Sequence, residues 1–176
     1  MERKYVLSAV GPDQPGIVDR LAGFLSDEGF NLEDSRMAVL GGEFALILLV
    51  TATSEAAKDL GALAPRIESL TGLSVTVKAT AAPSRGHAGV PFIVRGYAMD
   101  HPGIVHALAH EVAELGANIE EMETVARPAP VSGTPLFDVR MRISLPAGVP
   151  VQTLRRRLSE VAEARNMDIS VEPSPI

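Results

Sequence analysis

The sequence predicts an α+β protein made of two successive β-α-β-β-α-β units, each an antiparallel four-stranded sheet with two helices on one face. Three observations predict it. The chain repeats itself: setting Pro15 over Pro102 gives an offset of 102 − 15 = 87 residues, at which Tyr5 meets Phe92, Leu7 meets Val94, Leu21 meets Leu108 and Gly29 meets Gly116. The match holds without a gap for about thirty residues, which marks one supersecondary unit used twice. Within each copy, strand-like apolar runs and stripes at helical spacing follow one another in the same order. Hydrophobic residues make up 46% of the 176 and charged residues 22%, the balance of a chain that builds a core.

Each element has its own warrant. "KYVLSAV" is a β-former-rich strand expected to stop at Gly11-Pro12. Ile17, Val18, Leu21, Phe24 and Leu25 form a helical stripe, with Gly29 as the C′ glycine that ends it. "NLEDSRMAVL" and "EFALILLV" are strands joined at Gly41-Gly42, a pair able to take the positive φ of a tight hairpin. A second helix is expected between Ser54 and Leu70, kinked or split by Pro65, and "LSVTVKA" closes the unit. The second unit repeats the order with a longer, proline-rich hairpin, "ARPAPVSGTP". Its second helix shows Val151, Leu154, Leu158 and Val161 one turn apart, with Pro150 at the first turn. The units are placed at 1–79 and 91–176, and "ATAAPSRGHAG" has the composition of a linker, placed at 80–90. Units of this size and order are ferredoxin-like sandwiches.

One strand differs between the copies. In "FDVRMRIS" Phe137, Val139, Met141 and Ile143 alternate with Asp138, Arg140 and Arg142; in "FALILLV" both faces are apolar. A strand with two apolar faces is expected to be covered on both, so the helix-free face of the first sheet should pack against another protein surface.

Composition narrows the function. A formal charge of −6 argues against direct nucleic-acid binding, which needs clustered Lys and Arg. With no cysteine, disulfide and thiolate chemistry are excluded. No run approaches the roughly 20 apolar residues of a membrane span, and a cytoplasmic location is expected.

The repeated phrase is Asp-x-Pro-Gly-Ile-Val, at Asp13–Val18 and Asp100–Val105, between a strand and a helix. Asp13 is placed to cap the helix with its carboxylate, Pro15 to occupy the first turn, and Gly16 to allow another backbone or a ligand close. Free N–H groups at a helix start also attract carboxylates. A capped helix start needing no ligand and an anion-binding junction both fit these residues. Asn31 and Asn118, each opening the strand after the helix, either fix strand entry or offer a donor and an acceptor to an amino acid.

With "DQPGIVDRLAGFLSDEGFNLED" and "DHPGIVHALAHEVAELGANIEE", the chain resembles the ACT domain twice over, through the D-x-P-G-[IV]-[IV] loop and the G-x-N-[IL] strand entry. A free-standing tandem pair is similar to the glycine cleavage system transcriptional repressor family. The resemblance implies a small amino acid, glycine or serine first, bound where the loop of one domain faces the second strand of another. The residues implied are Asp13, Gln14, Gly16, Ile17, Asn31 and Leu32, with Asp100, His101, Gly103, Ile104, Asn118 and Ile119 in the second copy. It further implies a homo-oligomer acting through a partner regulatory protein, with no cofactor. The copies differ at Gln14 against His101 and at Gly11-Pro12 against Ala98-Met99, so the two pockets need not bind alike.

Other signals are weaker. His106, His110 and Glu114 recur at a spacing open to a metal, but three polar residues on an outer helical stripe are commonplace, and no metal is expected. Arg155–Arg157 reads as a solvated basic run offset by Glu160 and Glu163, with a partner contact as the alternative. An acylphosphatase-like enzyme would need an arginine in the first loop, which neither copy has, and no nucleophile–base set stands out. A scaffold that binds no ligand is the nearer alternative to a sensor.

Overall fold

In the computed structural model, which describes residues 3–53, 59–80, 89–130 and 132–174, the first unit runs β1 (Arg3–Pro12), α1 (Ile17–Asp27), β2 (Phe30–Leu40), β3 (Glu43–Ala52), α2 (Leu60–Thr71) and β4 (Ser74–Thr80). The second runs β5 (Gly89–Met99), α3 (Ile104–Glu114), β6 (Asn118–Pro128), β7 (Pro135–Pro146), α4 (Val151–Arg165) and β8 (Met167–Pro173). The sheets have strand orders β2-β3-β1-β4 and β6-β7-β5-β8, with every pairing antiparallel. This is the expected α+β, β-α-β-β-α-β architecture, used twice. The two compact units divide between Ser84 and Arg85. Thr80, Gly89 and Val90, expected in the linker, are strand residues; the rest of that segment, 81–88, lies outside the described residues.

The first core forms where the alternating residues of β1 and β3 meet the stripes of α1 and α2. Tyr5, Leu7, Leu48 and Val50 lie under Ile17, Leu21, Leu25, Leu63 and Ile67, all buried. Gly29 takes φ 77° just beyond α1, and the Glu28 N–H donates to the Phe24 carbonyl, as a C′ glycine termination requires. Gly41 and Gly42, at φ 61° and 89°, make the two-residue turn between β2 and β3.

Two expectations need correction here. Gly11 and Pro12 do not stop β1; they stay in register opposite Phe44 and Glu43. A proline at the end of a strand removes a donor only where the ladder is finishing. Pro65 does not split α2, which continues through it to Thr71. Leu63 and Ile67 on either side are buried at 3% and 0% exposure, so tertiary packing holds the turn whose hydrogen bond proline cannot make. Residues 54–58 of the expected helix lie outside the described residues.

The second core repeats the plan, with Val94, Met141 and Ile143 against Leu108, Val112, Leu154 and Leu158. Its basic run contributes to this packing as well as facing solvent. Arg157 pairs with Glu111 of α3 at 3.1 Å, Arg155 donates to the Val171 carbonyl of β8 at 3.2 Å, and Arg156 pairs with Glu160 one turn on. The longer hairpin is closed by Ala129 N–H to the Thr134 carbonyl and Gly133 N–H to the Ala129 carbonyl.

The helix-free faces differ as the two strand patterns foretold. On the first sheet Val10 and Ile47 stand half exposed, with Val6, Ala45 and Leu49 partly so. On the second, Asp138, Arg140 and Arg142 of β7 point away from the core that Phe137, Val139, Met141 and Ile143 enter.

Candidate functional site

The two repeated junctions have one geometry. Gly16 and Gly103 immediately precede their helices in the left-handed region, at φ 83° and 93°. Neither helix start carries a side-chain cap. Asp13 is therefore not the expected N-cap, and Pro15 lies before the helix rather than in its first turn. The left-handed glycine turns the chain so sharply that the aspartate, three residues earlier, is left alongside the hairpin. Its backbone instead makes the repeated contact: Asp13 N–H donates to the Gly42 carbonyl at 3.0 Å, and Asp100 N–H to the Pro135 carbonyl at 2.8 Å. Each loop is thereby pinned to its own unit's hairpin, at the turn in the first and at the last rung before the loop in the second.

A second shared feature was not foreseen. The Arg20 guanidinium donates to the Pro15 carbonyl at 3.3 Å, and the Arg165 guanidinium to the Pro102 carbonyl at 3.4 Å. A Cβ added to Gly16 would lie 3.1 Å from Arg20 Nη1, and one added to Gly103 3.2 Å from Arg165 Nη1. Each uncapped helix start thus has a guanidinium against its glycine, although one comes from α1 itself and the other from the last residue of α4. Arg20, one helical turn beyond Gly16, was within reach of sequence reasoning. Nothing local connects Arg165 to Gly103.

The remaining expected residues divide sharply. Asp13, Gln14, Asp100, Gly16 and Gly103 are exposed. Ile17 and Ile104 are each 2% exposed and belong to the cores, and the Ile17 N–H donates to the Gln14 carbonyl at 3.4 Å. As first residues of their helices they face the sheet, which removes their side chains from the expected site. His101 is half-buried, with Nδ1 3.1 Å from the Pro102 carbonyl and Nε2 3.5 Å from that of Arg165. Among the described residues the Gln14 side chain has no such anchoring, so the two junctions are not chemically equal.

Asn31, Leu32, Asn118 and Ile119 stand at the other end of each sheet. Asn31 pairs with Thr51, whereas Pro12, beside the junction, pairs with Glu43. Thr51 and Glu43 are eight residues apart on β3, about 26 Å of strand. Asn118 opposite Ser144 and Met99 opposite Leu136 repeat that separation. Within one unit the loop and the asparagine do not meet. Leu32 is 41% exposed, while Ile119 packs against its core. Among the described residues no three histidine or acidic side chains converge as metal ligands; His106 and His110 face solvent with ring centroids 6.1 Å apart.

The architecture of the two units agrees with what the chain resembles. The ACT domain family matches residues 4–78 and again residues 93–172. The chain belongs to the ACT-domain family. Both ACT units are accounted for in a relative, the glycine cleavage system transcriptional repressor of Escherichia coli (strain K12), which is 25% identical over 94% of this chain and 87% of its own. The phosphoserine phosphatase SerB2 of Mycobacterium tuberculosis (strain ATCC 25618 / H37Rv) is also 25% identical, over 95% of this chain but only 40% of its own length. The tandem ACT fold superposes with TM-score 0.86 on the crystal structure of an unknown protein from Galdieria sulphuraria, at 33% identity, over 99% of this chain and 100% of that one. Among the described residues no helix is long and apolar enough to cross a membrane.

Proposed function

We propose that this tandem ACT protein is an amino-acid-responsive regulator of the glycine cleavage system transcriptional repressor type. It takes a small amino acid, glycine or serine first, and acts through a partner regulatory protein rather than on DNA or as an enzyme. The observation that carries this reading is the duplicated junction: a left-handed glycine, an uncapped helix start and a guanidinium beside it, made twice from different elements. Unpaired helix N–H groups and an arginine together suit a carboxylate. The asparagine strand openings lie too far from their own junctions to contribute. A complete pocket therefore takes the loop of one ACT unit and the second strand of another, in a homo-oligomer. A ligand that bridges two walls stabilises only the arrangement in which both are present, and this is how binding would bias partner contact.

One observation favours a ligand-free scaffold instead: the Asp13, Gln14 and Asp100 side chains stand exposed at the junctions. Calorimetric titration of the full chain with glycine and with serine separates the two. Saturable heat that Asn31→Ala and Asn118→Ala abolish supports the sensor, and flat heats for both amino acids leave the scaffold.

A further inference from the structure

One turn of α3 carries two imidazoles that the rest of the unit leaves unused. His106 and His110 both face solvent, with ring centroids 6.1 Å apart and ring planes tilted by 30°. Among the described residues neither ring has a hydrogen-bond or ion-pair partner. His101, by contrast, has both ring nitrogens against carbonyls, and Glu111 of the same helix is taken by Arg157. The turn is held from behind, because Ile104, Leu108 and Val112 are buried in the second core. At the repeat offset of 87, the corresponding residues of α1 are Asp19 (106 − 87) and Gly23 (110 − 87). The pair is therefore an addition to the duplicated plan and belongs to the second unit alone.

Residues four apart on a helix share a face, with Cβ atoms about 5–6 Å apart. That is the spacing at which one helix presents two histidines to a single zinc ion. An ion held tetrahedrally at about 2.0–2.1 Å from each imidazole needs the two nitrogens about 3.4 Å apart. Exposed rings reach that separation by changing rotamer, and the packed backbone needs no rearrangement. We propose that His106 and His110 form a two-imidazole site for a borderline divalent cation, Zn²⁺ or Cu²⁺. Imidazole nitrogen suits these ions, whereas Mg²⁺ and Ca²⁺ take oxygen donors. Between the histidines stand Ala107, Leu108 and Ala109, so the turn lacks the glutamate that would make it a hydrolytic centre. Two protein ligands leave the remaining coordination positions open to water. Glu114, exposed one turn beyond His110, adds negative charge beside the site. The site is separate from the Pro-Gly junctions and does not rest on their role.

The test uses the full chain without a polyhistidine tag, titrated calorimetrically with Zn²⁺. Saturable heat is expected, with Cu²⁺ binding more tightly and Mg²⁺ not at all at the same concentrations. Long-range ¹H–¹⁵N spectra of the imidazoles should show the ring nitrogens of His106 and His110 shifting together while those of His101 stay in place. His106→Gln and His110→Gln should each weaken Zn²⁺ at least about tenfold, since losing even an outer-shell partner costs about 10–100-fold. Both side chains are exposed, so circular dichroism of the variants should match the parent and the loss is read on a folded chain. Excess Zn²⁺ should raise the melting temperature of the parent and leave that of the double variant unchanged. The absence of saturable Zn²⁺ heat would overturn the proposal. Undiminished Zn²⁺ affinity in the double variant would overturn it too, by placing the ion elsewhere. Equal binding of Mg²⁺ would do the same, by reducing the effect to attraction toward an acidic surface.

Discussion

Gly16 and Gly103 show how little of the repeated phrase is replaceable. Their φ of 83° and 93° is a region where a Cβ collides with the following carbonyl, and each added Cβ would also crowd a guanidinium. Gly16→Ala and Gly103→Ala should each destabilise the chain by about 1–2 kcal/mol. Gly23 lies within α1, exposed and with open space around it, so Gly23→Ala should stabilise by up to about 1 kcal/mol. Urea denaturation of the three variants checks both signs. Glycine was read in the sequence as room for a ligand; the structure adds a backbone requirement that would preserve it even in a unit that bound nothing.

Between elements, the first unit's two helices are tied at the surface by Glu28 and Arg66. The guanidinium donates twice to the carboxylate, at 2.7 and 2.6 Å, and lies 4.8 Å over the Phe24 ring. Hydrogen bonding and charge from Arg66 hold the Glu28 carboxyl below its ordinary value, outweighing the small desolvation that opposes them. A carboxyl depressed in the folded state adds stability above its unfolded pKa and loses it as pH falls through the folded one. Glu28→Gln should therefore lower the melting temperature at neutral pH, and the difference from the parent should shrink to nothing in strong acid. Thermal melts across that range decide it. An unchanged difference at low pH would mean that the contact is packing rather than charge. The pair also bears on Pro65, since Arg66 anchors the turn of α2 that a proline would otherwise weaken.

For the whole molecule, the two helix-free faces set different expectations. The first is apolar, with Val10 and Ile47 half exposed on neighbouring central strands. We expect it to be covered in the proposed homo-oligomer, so Val10→Lys and Ile47→Lys should shift sedimentation toward a smaller species. Circular dichroism should stay unchanged, because both side chains lie outside the core. The second face is charged, with Arg95 opposite Arg140 on its central strands, so the same test there should leave assembly untouched.

Sequence alone determined the duplication, the order of elements, the buried stripes and the unequal outer faces of the two sheets. All of these follow from period and composition, which are local properties of a chain. It also located the junctions, because Pro and Gly constrain backbone angles wherever they occur. Only the tertiary structure decided which groups surround those junctions. Arg165 reaches Gly103 from 62 residues away, Ile17 and Ile104 turn into the cores, and each asparagine ends at the far end of its own sheet. Packing overrode the local rule at Pro65 for the same reason. Contacts between distant residues are set by how helices seat on a sheet, and no local pattern encodes that register.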